Sequence, residues 1–193
     1  SLPFRYGLEY GNFQVVIDTV LISAPMLVQA ASKPDATHVG LKRAVAGILL
    51  GIMAAIKISP VFLIAVFLGG GVVHCVRTRQ FDEWFKTGAL AMVVFTLCML
   101  LTPFHHTVEF FTELSRVSAL TSQDGLPPTS VQYALTRLLN IDEPVGRHII
   151  RCTAMLVLGL SCLHRNSMVR TLAAYWTIMV VNPFAWPYTV GLM

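Results

Sequence analysis

The sequence predicts an all-α, polytopic transmembrane bundle of about six spans, with short amphipathic helices at the interface. Three observations carry that expectation. Six apolar stretches fit within 193 residues. All but one of the gaps between them hold clustered Lys and Arg. Charged residues make up 12% and apolar residues 55% of the chain, and its mean hydropathy is +0.66. Soluble domains carry about 25% charged residues, so a chain this poor in charge could not cover its own surface in water.

The elements follow in chain order, and the whole of 1–193 reads as a single integral membrane domain. The first span, 12–31, carries Asp18 and a mid-span Pro25. A membrane helix tolerates proline when a neighbour satisfies the backbone carbonyl that proline frees. The second and third spans, 41–56 and 60–76, are separated only by Lys57-Ile58-Ser59. Read as one helix they would reach about 54 Å, against a hydrocarbon core about 30 Å thick. A tight hairpin broken before Pro60 is the better reading. The remaining spans are 87–104, 145–164 and 168–193, the last interrupted by Pro183 and Pro187.

Segment 105–143 is expected at the interface. Val108, Phe111, Leu114 and Val117 recur at helical spacing, with Glu109, Glu113 and Arg116 opposite. Gln123–Pro128 reads as a turn, and Val131, Ala134, Leu135 and Leu138 form a second amphipathic stripe. Asp142-Glu143-Pro144 has the acids and early proline of a helix start. Trp84, Trp186 and Tyr188 sit near span ends, where amphipathic rings anchor.

Charge fixes the orientation. With six spans, one side holds Lys33, Lys42, Arg43, Arg77, Arg79, Lys86, Arg165 and Arg170 in short connections. The other holds Arg5, Lys57, Arg116, Arg137 and Arg147, mostly in longer segments amid acids. The positive-inside rule assigns the first side to the cytoplasm, or to the matrix of a mitochondrial inner membrane. Bacterial and organellar inner membranes both fit this reading. The net charge of +4 is too scattered for nucleic acid. Other membrane subunits and lipids are the expected partners, with lipid the expected bound molecule. No signal peptide is read at the start, which is Ser-Leu-Pro rather than Met.

Charges at membrane depth default to function. Asp18 and Arg151 are expected at similar depth, about 10 Å from the less basic side. They form a candidate ion pair or, with Arg147, a candidate ion path. Gly47 and Gly51 form a G-x-x-x-G that permits close helix approach. Gly69, Gly70 and Gly71 mark either a helix crossing or a break lining a pore. His105, His106 and Glu109 have spacing that can hold a metal. His74, His148 and His164 are candidates for haem ligation between helices, although no cofactor is required. Cys75, Cys98, Cys152 and Cys162 read as buried apolar residues, without a C-x-x-C pair.

Three short runs resemble known families. LGGGVVHCVRTRQFDEWFK at 68–86 looks like the glycine run and basic loop of the trimeric intracellular cation channels. It covers about a tenth of the chain, and the two-repeat plan of that family is absent. Arg151, Ala154 and Gly159 resemble the late span of the proton-path subunit of rotary ATP synthases, but Met155 replaces its Asn. Gly146-Arg147-His148 is similar to a Gly-x-Arg-His run in succinate dehydrogenase anchors, without the spacer or the following Trp-Asp. None identifies a family.

The expected function is therefore a non-catalytic integral subunit of a larger, energy-transducing membrane complex, bordering a proton or ion path. The alternatives are a homo-oligomeric channel or small transporter, and a haem-bearing anchor of an oxidoreductase. No catalytic motif is present, and the chain is not expected to be an enzyme by itself.

Overall fold

The structure, a computed structural model, describes residues 14–56, 59–101, 108, 112 and 131–181. These build seven helices: α1 (Gln14–Ala31), α2 (Val39–Ile56), α3 (Pro60–Thr78), α4 (Glu83–Leu101), α5 (Val131–Leu138), α6 (Glu143–Ser161) and α7 (Ser167–Val181). No strand occurs among the described residues. The chain is a polytopic helical membrane protein. Outside the described residues lie His105, His106, Glu109, the 123–128 turn, the second half of the last expected span, Trp186 and Tyr188.

By length and composition, α2, α3 and α4 can each cross a membrane, with mean hydropathies of 1.8, 1.9 and 1.8. Val16–Ala31 and Ser167–Val181 are shorter apolar helices. Helix α6 is long enough, at 19 residues, but its first half carries Arg147, His148 and Arg151. Helix ends depart from the apolar stretches. α2 starts at Val39 and takes Lys42 and Arg43 into its first turns. α4 starts at Glu83 rather than at Thr87. Helical backbone continues past the apolar part because its charged first turns reach the polar headgroups.

Local chemistry sets these starts. Asp82 Oδ1 accepts from the Phe85 backbone N–H at 2.8 Å, satisfying one of the free donors at the N-terminus of α4. Pro60 and Pro144 occupy first-turn positions of α3 and α6, where their missing N–H is not needed. α3 and α2 are thus separate helices. Arg79 ends α3 at φ 59°, donating its N–H to Cys75 O at 2.7 Å.

Helix directions follow from the contacts. Arg43 Nη1 of α2 lies 3.2 Å from Glu83 Oε2 of α4. Further along, Gly47 faces Leu90 and Gly51 faces Ala91 and Val94, so α2 and α4 run parallel. Gly71 faces Phe85 while Gly88 faces Phe67, so α3 and α4 run antiparallel. α2 and α3 consequently oppose each other as the hairpin reading expects, but α4 lies against both. Arg77 Nη2 donates to Leu163 O at 3.1 Å, bringing the α6–α7 connection to the same end as the α3–α4 connection. Thr177 Oγ1 donates to Ala154 O at 3.2 Å, pairing α6 with α7. The short connection from Ala31 to Val39 brings the end of α1 to that end too.

Glycines make the approach of α4 close. A methyl on Gly51 would sit 2.7 Å from Val94 Cβ, and one on Gly88 would sit 2.8 Å from Phe67 Cβ. Gly69, Gly70 and Gly71 lie within a continuous α3 and face Cys162, Arg170 and Phe85 respectively. The pore-break alternative fails because the helix does not break. The core gathers Leu21, Val28, Leu50, Leu63, Ile64 and Phe67 from α1, α2 and α3. Trp84 is part of it rather than an interface anchor. It is 5% exposed and meets Phe67 edge-on, with ring centroids 4.9 Å apart. Of the second amphipathic stripe, α5 turns Leu135 partly inward and leaves Ala134 exposed and Leu138 80% exposed, while the neighbouring Thr136 is buried. Gly146 admits Thr136 against α6.

Pro25 removes the donor that would reach the carbonyl of Leu21 four residues earlier. The Tyr175 hydroxyl of α7 donates to that carbonyl. The neighbour that a buried proline requires in lipid is therefore Tyr175. Tyr175→Phe is expected to destabilise the bundle by about 0.5–2 kcal/mol. In a Pro25→Ala background the loss should shrink, because the helix regains its own donor. Unfolding of the four proteins in one detergent series checks this; equal losses in both backgrounds would dismiss the coupling. The shared end has its own check. Single cysteines replacing Lys33, Gln80 and Arg165 should all react with an impermeant maleimide from one side of a sealed vesicle. A cysteine replacing Asn140 should react from the other.

Candidate functional site

The bundle has two polar ends. At one, Asp18 lies in the second turn of α1, and Arg147 and Arg151 lie in the first half of α6. Both helices finish at the opposite end, so these three residues occupy one end at comparable depth. Asp18 is 9% exposed and Arg147 is 6% exposed. Arg151 is half-buried.

The stripe of α6 explains the burial. Arg147, Ile150, Ala154, Leu158 and Ser161 are buried at spacings of three and four, which is one helix face. Arg151 sits on the same face, one turn beyond Arg147. The arginines therefore point inward, and Arg147 does not snorkel to the headgroups. Their charges act on each other. Like charges at i,i+4 destabilise a helix by about 0.2–0.5 kcal/mol, and burial adds to that cost. A group bearing negative charge relieves both. Arg151 Nε is buried without a hydrogen bond among the described residues. No ion pair joins Asp18 to Arg151 there, and α1 and α6 are not close neighbours. The pairing expected between the first and fifth spans is thus not formed directly.

The other end is a cationic cluster. Asp82 and Glu83 sit among Arg43, Lys86 and Arg170, with Lys86 Nζ 2.7 Å from Glu83 Oε1. A cavity of about 440 Å³ opens beside them, lined by residues of α3 and of the α6–α7 connection, including His74 and His164. His148 is exposed at the opposite end. No group of His, Cys, Asp and Glu among the described residues is arranged to hold a metal. The four cysteines are free thiols, and Cys152 is exposed rather than buried.

The positive-inside count places Arg170 with the basic connection, yet it is 5% exposed. It belongs to the buried stripe Arg170, Ala173, Ala174, Thr177 and Ile178. That spacing was readable in the sequence and would have singled it out.

Residues 1–188 match the sequence profile of glycosyltransferase family 87. The chain belongs to glycosyltransferase family 87. No curated protein and no solved structure matches it. The family overturns the expected function. A membership that spans 1–188 points to a membrane glycosyltransferase, not to a non-catalytic complex subunit, an ion channel or transporter, or a haem-bearing anchor. Proton and ion transport fall with those readings. Buried charge at membrane depth does not by itself separate a transport protein from a membrane enzyme.

Proposed function

We propose that the chain transfers a sugar from a lipid-linked phosphate donor to a hydroxyl acceptor at the end that holds Asp18, Arg147 and Arg151. The carrying observation is the burial of a carboxylate and two inward guanidiniums at one end of a family 87 bundle. A site a turn or two below the helix ends meets a lipid-borne substrate at headgroup depth, where the donor arrives by lateral diffusion.

The chemistry requires two things of the protein. The acceptor O–H must lose its proton as its oxygen attacks the anomeric carbon. Asp18 accepts that proton as general base. The bond from the anomeric carbon to the phosphate oxygen breaks, and its electron pair leaves with the phosphate. Arg147 and Arg151 hold the phosphate and stabilise the charge that develops on it. Charge on each group is worth more at this depth than in water. Direct displacement puts the acceptor opposite the departing phosphate, so the anomeric centre inverts.

The positive-inside count supports an orientation with the cationic end toward the cytoplasm, or the equivalent organellar side. The transfer site then lies at the other face of the membrane.

Asp18→Asn should lower kcat by about 10²–10⁴-fold with donor binding retained, and Asp18→Glu should restore part of the rate. Arg151→Gln should raise the KM for the donor and lower kcat, while Arg151→Lys recovers charge but not bidentate contact. Steady-state transfer from a polyprenyl-phosphate sugar, with folded protein verified by size exclusion, checks both. Full activity in folded Asp18→Asn and Arg151→Gln would remove the site from this end. The anomeric configuration of the product, read by NMR, tests direct displacement, and retention would sink it.

A further inference from the structure

We propose that the cavity at the cationic end is a second, non-catalytic site that binds a phosphate group. Its lining includes Gly70, His74 and Arg77 of α3, His164 and Arg165 of the α6–α7 connection, and Arg170 of α7. Three guanidiniums and two imidazoles converge on about 440 Å³, room for a phosphate and the head of a lipid.

Arg170 is the reason to regard this as a built site. Its side chain is 7% exposed, so its charge is held away from water. Its Nε is buried and has no hydrogen-bond partner. Among the described residues its carboxylate neighbour is Asp82, which stands 3.9 Å away, too far for a hydrogen bond. Asp82 is engaged elsewhere, capping α4 through Phe85 N–H. A buried guanidinium with unused donors is costly, and the cavity is where those donors can be met. Gly70 makes this position accessible. A methyl there would collide with the Arg170 guanidinium, so α3 leaves its backbone bare where the arginine lies across it.

The chemistry of the lining selects the ligand class. Planar guanidiniums match phosphate oxygens bidentately, and exposed Arg165 and Arg77 flank the opening. Basic pockets between membrane helices on the cytoplasmic side accept anionic headgroups. The shared chemistry is a phosphate group, supplied by an anionic phospholipid or by a phosphate-bearing solute. The site stands apart from the transfer site, at the opposite end of the bundle, and does not depend on it.

The test uses the whole chain without sugar donor or acceptor, so its result is independent of catalysis. Detergent-purified protein is offered phosphatidylglycerol, phosphatidylcholine or inorganic phosphate, and native mass spectrometry and thermal unfolding report retention and stabilisation. Wild-type protein should retain phosphatidylglycerol over phosphatidylcholine. Retention should weaken about fivefold for each arginine removed in Arg165→Gln and Arg77→Gln/Arg165→Gln. These exposed positions keep the test valid if Arg170→Gln fails to fold. Stabilisation by inorganic phosphate without lipid retention, lost in the same variants, supports the site and names a solute as its source. Equal retention of both lipids with no effect of phosphate overturns the proposal. So does binding unchanged in folded Arg77→Gln/Arg165→Gln.

Discussion

The close approach of α4 to α2 and α3 is the constraint on which the rest of the structure depends. In lipid, apolar side chains gain little by leaving the solvent, because the solvent is itself apolar. Helices associate through van der Waals contact, and small residues permit it. Gly47 and Gly51 of α2, Gly71 of α3 and Gly88 of α4 let these backbones meet. The meeting fixes the register, and the register places Glu83 beside Arg43 and Trp84 beside Phe67. Everything at the cationic end is positioned by that alignment, including the separation of Asp82 from Arg170.

The charges divide into two groups whose surroundings suit different work. Around Asp82 and Glu83, opposite charges interleave across α2, α4 and α7. Such an arrangement is close to neutral except at the cavity, where cations are in excess. At the Asp18 end, the two arginines share a helix face and repel. Stability alone would not select that pair, since one apolar substitution would relieve it. The proposed transfer reaction would give the pair its use, through a charge that arrives with a substrate and departs with a product.

Much of this was legible in the chain. Hydropathy located each long helix, because only uninterrupted apolar runs can sit in lipid. Pro60 and Asp142-Glu143-Pro144 marked real starts. The basic connections marked one real end. Helix limits were less legible, since α2 and α4 run through charged turns that look like loop. The burial of Arg170 was half-legible. Its own helix spacing records it, but the space it fills is made by Gly70 on another helix, about a hundred residues away. The activity was illegible for a different reason. The likeness to family 87 is spread over residues 1–188, with no compact motif to concentrate it. Asp18, Arg147 and Arg151 stand out in the sequence as charges within apolar spans, but charge at depth does not distinguish moving an ion from moving a sugar.

The bond between Tyr175 and Leu21 has a consequence for how the protein is made. Within this chain α1 leaves the ribosome well before α7, with 154 residues separating the two bonded positions. Over that interval the carbonyl freed by Pro25 has no helical donor, and lipid offers none. The first helix therefore enters the membrane chemically incomplete and is finished only by the last described one. Insertion must leave α1 near water, at the insertion machinery or against another polar group until α7 arrives. A defect in α7 would then act first as a failure to release α1 into the bilayer, before any effect on the mature protein.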